Sequence, residues 1–163
     1  MRRCIPSFAA LALILSLAAC SSGSRPTGIG STAPDFTIQD SERKVSLHDY
    51  KGQVVILNFW ATWCPPCVQE MPSLVQMQNQ LKGRVTVLAV SVDVDADGYH
   101  KFIKSRNIDL ITVRDANQKS NALYGTYKFP ETYVIDRQGK IRRKFIGAVN
   151  WTDPEIEQYL KDL

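Results

Sequence analysis

Gln53-Val54-Val55-Ile56-Leu57-Asn58-Phe59-Trp60-Ala61-Thr62-Trp63-Cys64-Pro65-Pro66-Cys67 carries three signals in succession. Residues 53–60 are dominated by Val, Ile, Leu and Phe, the composition of a central strand buried on both faces. Two cysteines at CxxC spacing follow, and over residues 66–81 Val68, Met71, Leu74, Val75 and Leu81 form one apolar helical stripe, with Pro72 predicted to kink it. A buried strand, then CxxC, then a helix puts Cys64 just ahead of a helix N-terminus, where free amides and the helix dipole favour a thiolate. Cys64 is therefore predicted to be the nucleophile. Cys67, inside the first turn, is placed to resolve a mixed disulfide by attacking Cys64, while Pro65 and Pro66 remove two amides and stiffen the turn.

On either side of this stretch the chain alternates. Phe36 with Ile38 and Val45 with Leu47 predict two short strands joined at Asp40-Ser41, an N-terminal strand extension of the fold. Further strands are predicted over 84–92, 110–113, 132–135 and 141–146, and helices over 97–106 and 117–124, the latter ending at Gly125. Asp136-Arg137-Gln138-Gly139 reads as a hairpin connection, and Lys140, Arg142, Arg143 and Lys144 load the last strand with charge that discourages edge pairing. Thr152-Asp153-Pro154-Glu155 reads as a capping box opening a final helix. The order implies an α/β fold, a central mixed sheet flanked by helices.

The 163 residues suffice for one domain, and the 44% apolar and 22% charged composition is that of a globular chain. The formal charge of +4 falls to +2 once residues 1–19, which hold Arg2 and Arg3 and no acid, are set aside, so nothing calls for a nucleic-acid partner. Residues 8–19, apolar but for Ser16, suit a signal-peptide core and fall short of the ~20 residues a membrane span needs. Leu17-Ala18-Ala19-Cys20 resembles the lipobox of bacterial lipoproteins, in which the cysteine is lipidated and becomes the first mature residue. The expected organisation is a signal peptide over 1–19, a lipidated tether over 20–32 rich in Ser, Gly, Thr and Pro, and a domain over 33–163. Such a chain is lipid-anchored to a membrane of the cell envelope, facing the periplasm or the exterior.

With Cys4 removed with the signal and Cys20 lipidated, Cys64 and Cys67 are the remaining thiols. His48 and His100 are isolated in sequence and complete no zinc site, and one adjacent pair is no structural disulfide framework, so a redox pair without metal or cofactor is the expectation.

The run 58–67, with Glu70-Met71-Pro72 behind it, resembles the TlpA/ResA/DsbE branch of the thioredoxin superfamily. Ala33-Pro34-Asp35-Phe36, Ser91-Val92-Asp93 and Phe129-Pro130-Glu131-Thr132 extend the likeness over the chain from Gly30 onward. The resemblance implies a thioredoxin-like fold, a cis bond before Pro130 set against the CxxC, and a carboxylate at Glu131 that accepts a proton from the resolving cysteine. The plain alternatives are a turn at Pro130 and a solvated Glu131 at a strand entrance. Asn58 stands where thioredoxin has a buried aspartate, so Glu131 or water must replace that proton route. Trp63 is read as a shield and flat contact surface for the disulfide, with a core tryptophan as its alternative.

The function expected is reduction of protein disulfides by Cys64 and Cys67 in a monomer, with disulfide-containing clients and a membrane electron donor as partners, since an oxidising compartment supplies no bulk thiol. In DsbE-like relatives the client is apocytochrome c or its maturation machinery. Three alternatives stay open: a thiol peroxidase, which needs a threonine three residues before its cysteine whereas Thr62 lies two before Cys64; a redox-sensing or adaptor module; and a copper chaperone, which lacks a nearby histidine.

Overall fold

The computed structural model describes residues 28–163; the signal segment, Cys4, Cys20 and most of the tether lie outside the described residues. Strand β3 (Val54–Trp60) is buried along its whole length. It pairs in parallel with β4 (Val85–Ser91), which pairs in parallel with β5 (Ile111–Arg114). On its other side β3 runs antiparallel to β6 (Glu131–Ile135), which pairs antiparallel with β7 (Ile141–Ile146). The sheet order is β5-β4-β3-β6-β7, mixed as the pattern predicted, in a thioredoxin-like fold.

Alternation along the strands sorts the core into two layers. Val54, Ile56, Trp60, Val87, Ala89 and Val134 face α1 (Pro65–Gln80), α2 (Ala96–Ser105) and α4 (Pro154–Lys161), which contribute Met71, Leu74, Met77, Tyr99 and Leu160. Val55, Leu57, Phe59, Leu88, Val90 and Tyr133 face the other way. They pack against Ile38 and Val45 of the separate hairpin β1 (Thr37–Gln39) and β2 (Lys44–Ser46), and against Tyr124 just beyond α3 (Lys119–Leu123).

The differences from the sequence reading lie at element ends. Leu47 begins a 3₁₀ turn (Leu47–Tyr50) rather than extending a strand, because Lys51 N–H closes back on the His48 carbonyl. α3 starts later than predicted: Gln118 adopts φ 54°, and Asp115 accepts hydrogen bonds from the Ser120 N–H and hydroxyl. Helix α4 is capped by Asp153, not by Thr152. Asp153 accepts from Glu155 N–H with Pro154 in the first turn, whereas the Thr152 hydroxyl donates to Asn150. α1 continues through Pro72 to Gln80.

The start of edge strand β7 is covered by backbone. Gly30 N–H donates to the Ile141 carbonyl at 2.7 Å, and Ile141 N–H donates to Ser31 at 3.0 Å, so the folded unit begins ahead of the expected Ala33. Among the described residues no helix is long and apolar enough to cross a membrane.

The revised cap of α4 is directly testable. Replacing Asp153 by Ala should cost about 1 kcal/mol in urea denaturation, and replacing Thr152 by Ala clearly less, the reverse of what a Thr152 cap requires.

Candidate active site

Leaving β3, the chain turns at once: Val92 N–H donates to the Trp60 carbonyl and Cys64 N–H to that of Ala61. Cys64 is the N-cap of α1 in extended conformation (φ −99°, ψ 102°), and the prolines behind it have fixed φ and no N–H. Cys67 therefore supplies the first free amide of the helix, and that amide donates to Cys64 Sγ at 3.3 Å. The two cysteines form a disulfide, with Cα atoms 5.3 Å apart. Cys64 is 5% exposed and Cys67 fully buried, so the less buried of the pair is also the one at the helix N-terminus.

Trp63 is 64% exposed, which removes the core alternative, and its ring meets Phe129 edge-on at 6.1 Å. The Phe129–Pro130 peptide is cis, and the Pro130 carbonyl accepts from Gly147 N–H at 2.9 Å. Val94, Tyr127 and Ile146 are also exposed and lie where β4 ends, β6 begins and β7 ends. The pairing places all three at the same end of the sheet as the disulfide, giving that end an apolar rim.

Two carboxylates need separating. Glu131 is 4% exposed, so the solvated reading is overturned; it accepts from Tyr133 hydroxyl, from Thr126 hydroxyl at 2.6 Å and from Lys144 Nζ at 2.7 Å. Burial, with the Glu131 carboxylate beside it, raises the Tyr133 phenol above its usual range and keeps it a donor. Glu131 shares strand parity with Tyr133 and Ile135, on the sheet face away from α1.

The carboxylate on the disulfide's face is Glu70, to which sequence reasoning gave no role. It lies one turn beyond Cys67 and is 3% exposed. It accepts from Asn58 Nδ2 at 2.7 Å and from Val149 N–H at 2.8 Å. Asn58 also donates to Thr132 Oγ1 at 2.8 Å. Burial pushes the Glu70 carboxyl up to about 7 despite those hydrogen bonds and the nearby Trp151 indole, which stops short of hydrogen-bond geometry. The missed signal was helical spacing: Glu70 falls on the inward stripe of Cys67, Met71 and Leu74. His48 and His100 sit beside Asp35 and Glu42, at 3.8 and 3.1 Å, with no part in this cluster.

The AhpC/TSA family profile matches residues 29–144. The thiol-disulfide oxidoreductase ResA of Geobacillus thermodenitrificans is 36% identical over 83% of this chain and 78% of its own length. Among solved structures, a DsbE-type thiol:disulfide interchange protein from Chlorobium tepidum superposes with a TM-score of 0.72 at 32% identity, covering 83% of this chain and 94% of its own. The exposed lipoprotein thioredoxin Etrx1 of Streptococcus pneumoniae superposes with a TM-score of 0.69 at 26% identity, covering 80% of this chain and all of its own.

Glu70 predicts a particular pH dependence. Between the ordinary value of 4.5 and about 7 the folded protein holds a proton that the unfolded chain releases. Stability of the oxidised protein therefore falls as pH rises through that window and levels off above it, by about 3 kcal/mol at most. Denaturant titrations across the window should show this slope in the wild type and its loss in Glu70→Gln.

Proposed function

The chain belongs to the AhpC/TSA family and is a thiol-disulfide oxidoreductase of the ResA and DsbE type, and from that premise we propose that it reduces disulfides of extracytoplasmic client proteins from a lipid-held position at a membrane. The observation that carries the direction of attack is the placement of Cys64, the less buried of the two cysteines, at the N-cap of α1 with Cys67 fully buried behind it. Cys64 thiolate attacks one client sulfur and forms a mixed disulfide, and the other client sulfur leaves as a thiolate. Cys67 then attacks Cys64 Sγ, the Cys64–Cys67 disulfide forms, and the second client thiol departs. Glu70, one turn from Cys67 and poised near neutrality, takes the Cys67 proton in this scheme; Glu131, engaged by Lys144, Tyr133 and Thr126, steadies β6 and the cis-proline segment.

The apolar rim of Trp63, Val94, Tyr127 and Ile146 suits an unfolded or extended protein client more than a small polar disulfide. Apocytochrome c or its maturation machinery is the client class carried over from the family resemblance. The basic start, the apolar residues 8–19 and Cys20 support a lipidated, extracytoplasmic chain, as does the likeness to an exposed lipoprotein, and we take it to act as a monomer. Each turnover leaves a disulfide, so a membrane electron donor completes the cycle. The peroxidase alternative fits poorly, because Thr62 lies two residues before Cys64 and its hydroxyl is bound to Asp93 at 2.7 Å.

Two measurements test the proposal. Cys67→Ser should accumulate client as a mixed disulfide on Cys64, resolvable by thiol, and Cys64→Ser should trap none. Equilibration of the wild type in glutathione buffers should give a potential near about −270 mV; a value near about −120 mV would make the protein a disulfide donor instead.

A further inference from the structure

Ser91-Val92-Asp93 takes no part in the scheme above, yet it closes on the loop that delivers Cys64. The Asp93 side chain is 3% exposed, and among the described residues its carboxylate partners are all neutral donors. Thr62 N–H reaches both oxygens, at 3.2 Å to Oδ1 and 3.0 Å to Oδ2, and the Thr62 hydroxyl donates to Oδ1 at 2.7 Å. Ser91 hydroxyl donates to Oδ2 at 2.6 Å while accepting Asp93 N–H at 3.0 Å, which fixes the carboxylate's orientation from behind. Arg114 Nη1 donates to the Asp93 and Val94 carbonyls at 3.4 and 3.1 Å, holding the backbone beyond it. One acidic side chain at the end of β4 thus fastens the β3–α1 loop through both the main chain and the side chain of Thr62.

We propose that Asp93 is a positioning residue for Cys64: through Thr62 it holds the 61–63 loop so that Cys64 stays at the N-cap of α1 and its sulfur stays on the Cys67 amide. The need arises in the reduced protein. In the oxidised state a covalent bond ties Cys64 to Cys67. Reduction removes that tie, and the sulfur is then located by the backbone leading into it, whose anchors are Asp93 on Thr62 and the Cys64 N–H to Ala61 bond of 3.2 Å. Neither proline can contribute an amide, so a Cys64 that swings off the cap loses its one N–H donor and with it the stabilisation of the thiolate.

The test follows the thiolate by its ultraviolet absorbance during pH titration of reduced wild type, Asp93→Ala, Asp93→Asn and Thr62→Val, with each variant also equilibrated against glutathione. Asp93→Ala should raise the thiolate midpoint by about one pH unit and move the redox equilibrium about tenfold toward the disulfide. Asparagine can keep both Thr62 donors on Oδ1 and donate to Ser91, so Asp93→Asn should stay within about a third of a unit of wild type. Thr62→Val, which keeps the N–H bond, should shift the midpoint upward by less than Asp93→Ala, and it decides the matter if Asp93→Ala does not fold. Glu70 is the titrating carboxylate on the α1 side, and adding Glu70→Gln to each protein removes its coupling to the midpoint. An unchanged midpoint in Asp93→Ala or Thr62→Val overturns the proposal, leaving Asp93 a structural brace. A lowered midpoint in both Asp93→Ala and Asp93→Asn overturns it too, since the carboxylate would then act only through its charge. The inference rests on Cys64 being the attacking thiol: if alkylation of the reduced wild type modifies Cys67 ahead of Cys64, the proposed function fails on that separate ground.

Discussion

Strand β3 has neighbours on both edges and packed side chains on both faces, so a polar group it carries can find partners only inside the protein. Asn58 is the one amide side chain along it, and its Nδ2 donates at once to Glu70 on α1 and Thr132 on β6, while its own Oδ1 and the Trp60 indole N–H are buried without a hydrogen-bond partner among the described residues. Those two bonds join the strand, the redox helix and the strand behind the cis-proline at one buried point. The same burial that obliges Asn58 to find partners raises the Glu70 carboxyl, because the pocket that accepts the amide donors excludes water from the charge.

Around that point the active end is arranged by strand endings. β3, β4, β6 and β7 all contribute residues there: the CxxC turn, Asp93, the Phe129–Pro130 bond and Ile146. Loops at such a junction expose backbone that no ladder can satisfy, and side-chain acceptors fill the gap. Asp93 does so for the Thr62 amide and Glu70 for the Val149 amide, each a carboxylate replacing a missing strand partner.

What could be read from residues alone divides along the same line. The strand before the cysteines, the helix after them and the nucleophile's place between were legible because they depend on local periodicity and on the amides of one helix end. The role of Glu131 was not. With the strand begun at Thr132, Glu131 stands at a strand entrance, open equally to the proton-acceptor and the solvated readings; the structure begins β6 one residue earlier, pairs Glu131 with Phe59 and buries its side chain on the face opposite α1. Its parity with Tyr133 and Ile135 sets the carboxylate among Lys144, Tyr133 and Thr126 rather than beside the disulfide helix. The Asp93–Thr62 contact was equally hidden, since it joins residues brought together only when β3 and β4 align.

The backbone pairing of Gly30 and Ser31 with Ile141 has a geometrical corollary. Ile141 stands opposite Ile135, and Ile135 opposite Val55, so this pairing sits at the start of β3, whereas the disulfide follows its end. The polypeptide ahead of Gly30 therefore joins the body at the pole roughly 20 Å from the sulfurs, the length of the strand between them. If the chain is held through that end, as proposed, its attachment and its reactive sulfurs lie at opposite poles of the domain. Under the proposed anchoring, a membrane-embedded electron donor would have to reach across the full length of the domain to meet the disulfide.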